Sequence, residues 1–278
     1  MDTILEPDVA PASIEVELSY YSGDGASPVS LVAAPGGRDT RVGATGSETH
    51  RVTLHNGRPT AGQFLLDRDG FRFVSHPTQM TDFYDQAEIE RVYYPEMETL
   101  VKAQSGAKRV VVFDHTLRTE DEGLRERAKI REVVRRVHND YTEASAPKRV
   151  RDLMGGEAEA LLKGRFAIIQ VWRPIRHPVE TWPLAICDAR SLDERDLVVT
   201  ERRYQNRTGQ TYAIHHNEGQ YWYWFPRMRR DEALVFKVYE SLRDGRARWT
   251  AHTAFDDPTS PPNARPRESI EIRTLAFF

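Results

Sequence analysis

The period of the apolar positions changes along this chain, and the changes mark its elements. Across residues 51–73 apolar and polar residues alternate around Asn56-Gly57, a pattern of short strands and turns. Across 85–107 the spacing becomes helical: Ile89, Val92, Tyr93, Met97, Leu100 and Val101 share one face. Pro95 is expected to kink or split that helix, and Ser105-Gly106 to stop it. Residues 109–113 read as a buried strand, and the charged stretch 121–127 as an exposed turn or short helix. From Val133 onward the strand period dominates. Strands are expected at 133–138, 166–172, 183–188, 197–203, 210–215, 220–225, 233–239, 247–253 and 269–277, with a short helix inside 143–163. Residues 1–12 are polar and expected to fray, and 22–49, rich in Gly, Ser, Ala, Thr and Pro, are expected to form a mobile loop.

Helices followed by many short strands predict a mainly β protein with flanking helices, a sandwich or jelly-roll core covered on one side. No linker-like stretch divides the 278 residues, so a single domain over 1–278 is expected. Hydrophobic residues at 39% and charged residues at 29% fit a soluble globular chain. A formal net charge of −3 gives no general attraction to nucleic acid. The lone cysteine, Cys187, excludes a disulfide framework and a cysteine-rich zinc site, and sits in an apolar run as a small strand residue would. The N-terminus has no secretory pattern, and no window approaches the roughly 20 apolar residues of a membrane span. The expected setting is cytoplasmic, without membrane or nucleic-acid partners, as a monomer or homodimer.

The chemistry is in the histidines. In an extended segment residues i and i+2 point the same way, so His138-Asn139-Asp140 offers an imidazole and a carboxylate on one face. Two histidines and one carboxylate can take one face of an octahedral iron and leave the other positions open for a keto acid and oxygen. One triplet of this kind arises easily by chance. A histidine on a late strand, His252, and a basic residue opening the next, Arg267-Glu268-Ser269, complete the order that a jelly-roll keto-acid oxygenase requires. The planar fork of an arginine suits a distal carboxylate, and the hydroxyl of Ser269 lies on the same strand face. His115 and His216 are rivals for the third ligand position. Arg118 and Arg173 are candidate carboxylate contacts. The aromatic run Tyr221-Trp222-Tyr223-Trp224-Phe225 reads first as a strand packed on both faces and second as a pocket wall.

These stretches resemble the AsaB-like hydroxylase/desaturase family, which includes CmcJ/NvfI-like and gibberellin-desaturase-like proteins within the Fe(II)/2-oxoglutarate-dependent oxygenases. The resemblance runs over about residues 70–278 through Val137-His138-Asn139-Asp140-Tyr141-Thr142, Val171-Trp172-Arg173-Pro174, Tyr221-Trp222-Tyr223-Trp224-Phe225-Pro226, His252-Thr253-Ala254-Phe255-Asp256-Asp257-Pro258 and Arg267-Glu268-Ser269-Ile270-Glu271. It implies a double-stranded β-helix (jelly-roll, cupin-like) core. It also implies Fe(II) and 2-oxoglutarate as cofactors, O₂ as co-substrate, and a small-molecule secondary metabolite as substrate for hydroxylation, desaturation or rearrangement. His138, Asp140 and His252 carry over as metal ligands, with Arg267 and Ser269 toward 2-oxoglutarate. The Pro261-Pro262 insert lengthens the step from His252 to Arg267, so Arg273 and Arg173 stay open as rivals. Two other readings fit the same residues: a jelly-roll binding or accessory protein with a vestigial site, and a zinc hydrolase using the same three ligands.

Overall fold

A computed structural model of the chain describes residues 10–23, 28–32, 40–42, 46–205 and 208–278. Among these residues, fifteen strands form two sheets. In chain order they are β1 (Ser13–Tyr21), β2 (Val29–Leu31), β3 (Thr40–Val42), β4 (Ser47–Asn56), β5 (Phe71–Ser75), β6 (Arg109–Thr119), β7 (His138–Asn139) and β8 (Phe166–Pro174). They continue as β9 (Leu184–Cys187), β10 (Leu197–Arg203), β11 (Thr208–Ile214), β12 (Trp222–Trp224), β13 (Glu232–Glu240), β14 (His252–Ala254) and β15 (Glu268–Phe277). The ten-stranded sheet runs β1-β4-β12-β9-β14-β7-β11-β10-β2-β3, and the five-stranded sheet β5-β13-β8-β15-β6. The expected mobile loop at 22–49 therefore contains β2, β3 and the start of β4; parts of it, like residues 1–9, lie outside the described residues.

Burial explains the layering. All nine residues of β8 and all nine of β13 are buried, so both faces of the five-stranded sheet are covered. On one face Val171, Val235, Ile270 and Ile272 pack against Tyr93, Met97, Leu100 and Val101 of the helical layer. On the other, Trp172, Leu234, Phe236 and Leu275 meet Ile186 of the ten-stranded sheet and Phe225, the residue after β12. The two sheets thus close on a shared interior. No helix among the described residues is long and apolar enough to cross a membrane.

The helical layer is α1 (Gln86–Glu88), a π turn (Ile89–Tyr93) and α2 (Tyr94–Ser105). Asp85 caps it by accepting from the amides of Ala87 and Glu88, and Gly106, at φ 77°, closes it by donating its amide to the carbonyl of Lys102. Pro95 produces no split. The π turn precedes it, which places the proline in the first turn of α2, where a missing N–H costs little. Three further helices follow among the described residues, α3 (Glu122–Ala128), α4 (Ser145–Met154) and the short α5 (Ala158–Leu161). The aromatic run is a core strand: Trp222 and Trp224 are buried on the face shared with Leu54, Ala185 and Cys187, while Tyr221 stacks on His55 at the surface. Burial pushes the thiol of Cys187 up to about 12, as befits a structural residue.

One glycine is required near the centre. Gly70 has φ +85°, and a Cβ there would lie 2.3 Å from Oγ1 of Thr250. Its carbonyl accepts from the Thr250 hydroxyl at 3.1 Å and from the Lys237 amide at 2.8 Å. Gly70→Ala adds about 1–2 kcal/mol of left-handed strain and about 1–3 kcal/mol of overpacking. Urea unfolding is expected to show a loss of about 2–5 kcal/mol; a loss below about 0.5 kcal/mol, the size of an ordinary surface change, contradicts the account.

Candidate metal centre and active site

The site begins with a register. In the antiparallel pairing of β14 with β7, His252 lies directly opposite His138, and their ring centroids are 4.3 Å apart. Asp140 follows His138 by two residues and comes round to the same side. The result is one compact group: ligand atoms of His138, Asp140 and His252 all lie within 4.8 Å of one another, and no other such group occurs among the described residues.

The intervening Asn139 faces the other way and is fully buried. Its Nδ2 donates to the carbonyls of Tyr141 at 2.8 Å and Val238 at 3.0 Å, and its Oδ1 accepts from the amide of Thr250 at 3.3 Å. One side chain thereby ties the His138 segment to β13 and to the residue two before His252.

Both imidazoles are oriented alike. Nδ1 of His138 lies 2.8 Å from the carbonyl of Arg136, and Nδ1 of His252 lies 3.1 Å from the carbonyl of Thr250. A carbonyl only accepts, so Nδ1 carries the proton in each ring and Nε2 presents a lone pair to the cluster. Nε2 of His138 is 3.5 Å from Oδ1 of Asp140, and Nε2 of His252 is buried with no hydrogen-bond partner. Burial, and then the neighbouring His252, push His138 down to about 3, so it is neutral at physiological pH.

The carboxylate is divided between two tasks. Oδ1 of Asp140 faces the histidines, while Oδ2 accepts from Nε2 of Gln170 at 2.7 Å and from Nε of Arg273 at 3.1 Å. Burial by itself raises this carboxyl, but Arg273 and the two histidines outweigh it and hold it well below the usual carboxylate range. Gln170 and Arg273 are cross-strand partners on β8 and β15, so the register delivers both to the same oxygen. Gln170 was not readable from the sequence: a buried glutamine inside an apolar run is the signal, and it stands between Ile169 and Val171 without a motif.

A narrow cleft beside the cluster is walled by His138, His252, Trp172, Leu184, Arg118 and Arg267. Arg267 is buried at 4% exposure, with its guanidinium 5.3 Å from the ring centroid of Trp172 and one nitrogen donating to the carbonyl of Trp182. Its Nε, and the buried hydroxyl of Ser269, have no hydrogen-bond partner. Burial, then the nearby Arg118, push Arg267 down to about 9. Ser269 pairs directly with Arg118 across β15 and β6. Two arginines thus converge where, among the described residues, no ion-pair partner reaches Arg267, an arrangement that favours a bound anion.

The rival residues go elsewhere. Arg173 does not reach this cluster, contrary to its place among the expected carboxylate contacts. Alternation along β8 turns it to the helical face, where it donates to the carbonyl and Nδ1 of His76 and lies over Tyr93. Arg273 is committed to Asp140, Glu271 and the hydroxyl of Thr116. His115 has its Nδ1 2.8 Å from the hydroxyl of Tyr94, and His216 stacks on His50 at 3.7 Å.

A larger cavity of about 730 Å³ opens onto His138 and Asp140. It draws its wall from β6, from the stretch 128–134 and from Tyr141, Arg149, Arg202 and Arg273. The second half of β6, residues 114–119, extends the strand beyond the expected 109–113, and residues 114–118 line this space.

Fold and site together define a jelly-roll oxygenase. The family model described as "Oxidoreductase/YMDC permease-like domain" matches residues 18–277. The hydroxylase/desaturase asaB of Aspergillus flavus is 42% identical over 285 residues, covering 95% of each chain. The Fe(II)/2-oxoglutarate-dependent dioxygenase nvfI of Aspergillus novofumigatus is 37% identical over 235 residues, covering 82% of this chain and 83% of that one. The solved structure of the iron and alpha-ketoglutarate-dependent endoperoxidase NvfI superposes with a TM-score of 0.84 at 31% identity, over 96% of this chain and 98% of that one. The chain belongs to the AsaB-like hydroxylase/desaturase family of Fe(II)/2-oxoglutarate-dependent dioxygenases.

Proposed function

We propose that His138, Asp140 and His252 hold Fe(II), and that Arg267 with Ser269 holds the distal carboxylate of 2-oxoglutarate, in a single jelly-roll oxygenase domain acting on a small-molecule secondary metabolite. The observation that carries this reading is the buried, partnerless Nε2 of His252, aimed into a group of three ligand atoms within 4.8 Å. A neutral imidazole, a second one and an ionised carboxylate are the donor set of a non-haem iron. Bound there, iron with 2-oxoglutarate and O₂ supplies an oxidant that removes hydrogen from a C–H bond, for hydroxylation, desaturation or rearrangement.

The chain's own part is orientation and exclusion. The Arg136 and Thr250 carbonyls fix both histidine tautomers, and Gln170 and Arg273 fix which carboxylate oxygen faces inward. Phe236, against the ring of His252 at 4.8 Å, and Trp172 keep the inner side dry. The partner in this reading is a small molecule, not nucleic acid or membrane, and the protein works as a cytoplasmic monomer or homodimer; the net charge of −3 supports the first of these.

The test is Fe(II)-dependent release of succinate from 2-oxoglutarate by the wild type and by single histidine variants. His252→Ala is expected to fall to background, while His115→Ala and His216→Ala keep most of the turnover. Loss in His115→Ala with retention in His252→Ala sinks the ligand assignment.

A further inference from the structure

The cavity that opens onto His138 and Asp140 has an unusual wall. Six cations line it, Arg118, Lys129, Arg131, Arg149, Arg202 and Arg273, against the two carboxylates of Asp114 and Asp140. Arg273 already answers both carboxylates, at 3.1 Å from Asp140 and 3.6 Å from Asp114. The chain as a whole carries −3, so this lining is a local feature and not the protein's general charge.

Arg149 is placed to read a ligand. It sits on α4, half-buried, with its guanidinium 5.6 Å from the centroid of Phe113 and in the same cavity wall as Tyr141, the residue after Asp140. The acids nearest it in sequence are taken: Asp152 pairs with Lys148 at 2.8 Å and Glu143 with Arg248 at 2.7 Å. Among the described residues no carboxylate lies within ion-pair distance of Arg149 or of Lys129, which stands exposed at the end of α3 with φ 51°. The ring of Phe113 therefore braces a guanidinium in the cavity wall beside the metal centre without neutralising it.

We infer that this cavity takes an anionic substrate, a small natural product bearing a carboxylate or another ionised oxygen, with Arg149 holding the anion and Lys129 adding to the field at the rim. The inference rests on the triad reading above and deepens it by naming the substrate class. A cleft of one charge with low-dielectric walls concentrates ligands of the other, and a charge-assisted pair fixes their orientation. About 730 Å³ suits a ligand of several rings, and Tyr84, Leu117, Ile130, Val134 and Tyr141 supply apolar contact among the cations.

The experiment uses the full chain loaded with Mn(II), which does not turn over, and 2-oxoglutarate. The probes are 6-hydroxy-2-naphthoate and its neutral methyl ester, and the readout is paramagnetic broadening of probe resonances by the metal. The acid is expected to bind at least about tenfold more tightly than the ester, the size of one charge-assisted hydrogen bond. Arg149→Gln should abolish that preference and Arg149→Lys should retain part of it, with 2-oxoglutarate binding in the same samples reporting an intact site. Equal binding of acid and ester, no binding of the acid up to its solubility, or a preference that survives in both Arg149→Gln and Lys129→Gln overturns the inference and leaves the triad standing. Failure of the wild type to bind Mn(II) or 2-oxoglutarate overturns the triad reading, and this inference with it.

Discussion

Asp140→Asn is expected to lose Fe(II) affinity by more than the ~10- to 100-fold that removing an outer partner of a metal ligand costs, and to lose turnover with it. The substitution keeps shape and removes charge. Oδ2 of Asp140 accepts from Gln170 and from Arg273, so an amide must choose how to face two donors. If its oxygen accepts from them, its NH₂ points at the metal; if it turns over, NH₂ meets a guanidinium. Either way a donor faces a cation. Gln170→Leu removes only one of the outer contacts, so its loss should stay within ~10- to 100-fold. Titration with Fe(II) under anaerobic conditions ranks the two, and an asparagine variant that binds iron as well as Gln170→Leu contradicts the assignment. Stability should change less than affinity, because Arg273 keeps Glu271 and Thr116; the cost stays below the ~3–5 kcal/mol of an abandoned buried charge. The sign with pH follows from a carboxyl held below its ordinary value. The wild-type advantage is fully present above about pH 4, the ordinary aspartate range, and shrinks as pH falls toward the depressed native value, so the two stability curves converge in acid.

Part of this site was legible because strand geometry is periodic. His138 and Asp140 share a face by alternation alone, and the structure adds only that His252 is the residue opposite. Burial was legible too: the apolar runs at 166–172 and 233–239 became the strands covered on both sides. What periodicity could not give is contact between polar residues far apart in sequence. Gln170 reaches Asp140 across 30 residues and Asn139 reaches Val238 across 99, and neither sits in a pattern that marks it. The second half of β6 was missed for a related reason. Its residues 114–118 line a polar cavity, so the apolar signal of a strand ends at Phe113 although the pairing continues to Thr119. Among three candidate arginines the choice needed register: alternation along β8 turns Arg173 away, Arg273 is occupied by acids, and Arg267 is left facing the cleft.

Arg267→Met is expected to weaken 2-oxoglutarate binding by about 30- to 5,000-fold, the range set by losing ~2–5 kcal/mol from a buried charge pair. The same variant should leave the ligand-free protein at least as stable as the wild type. Without 2-oxoglutarate, Arg267 is buried, has an unpartnered Nε, has no carboxylate within ion-pair distance among the described residues, and is repelled by Arg118. Its charge is therefore a burden until a dianion arrives, and a methionine of similar length removes that burden while keeping contact with Trp172. Thermal melts with and without 2-oxoglutarate separate the two effects. The wild type should gain stability on adding the keto acid, by the amount that its affinity dictates. The variant should start level or higher and gain little. A variant that melts several degrees lower without ligand but still responds fully to 2-oxoglutarate assigns Arg267 to the scaffold and moves the carboxylate to Arg118, its neighbour in the cleft.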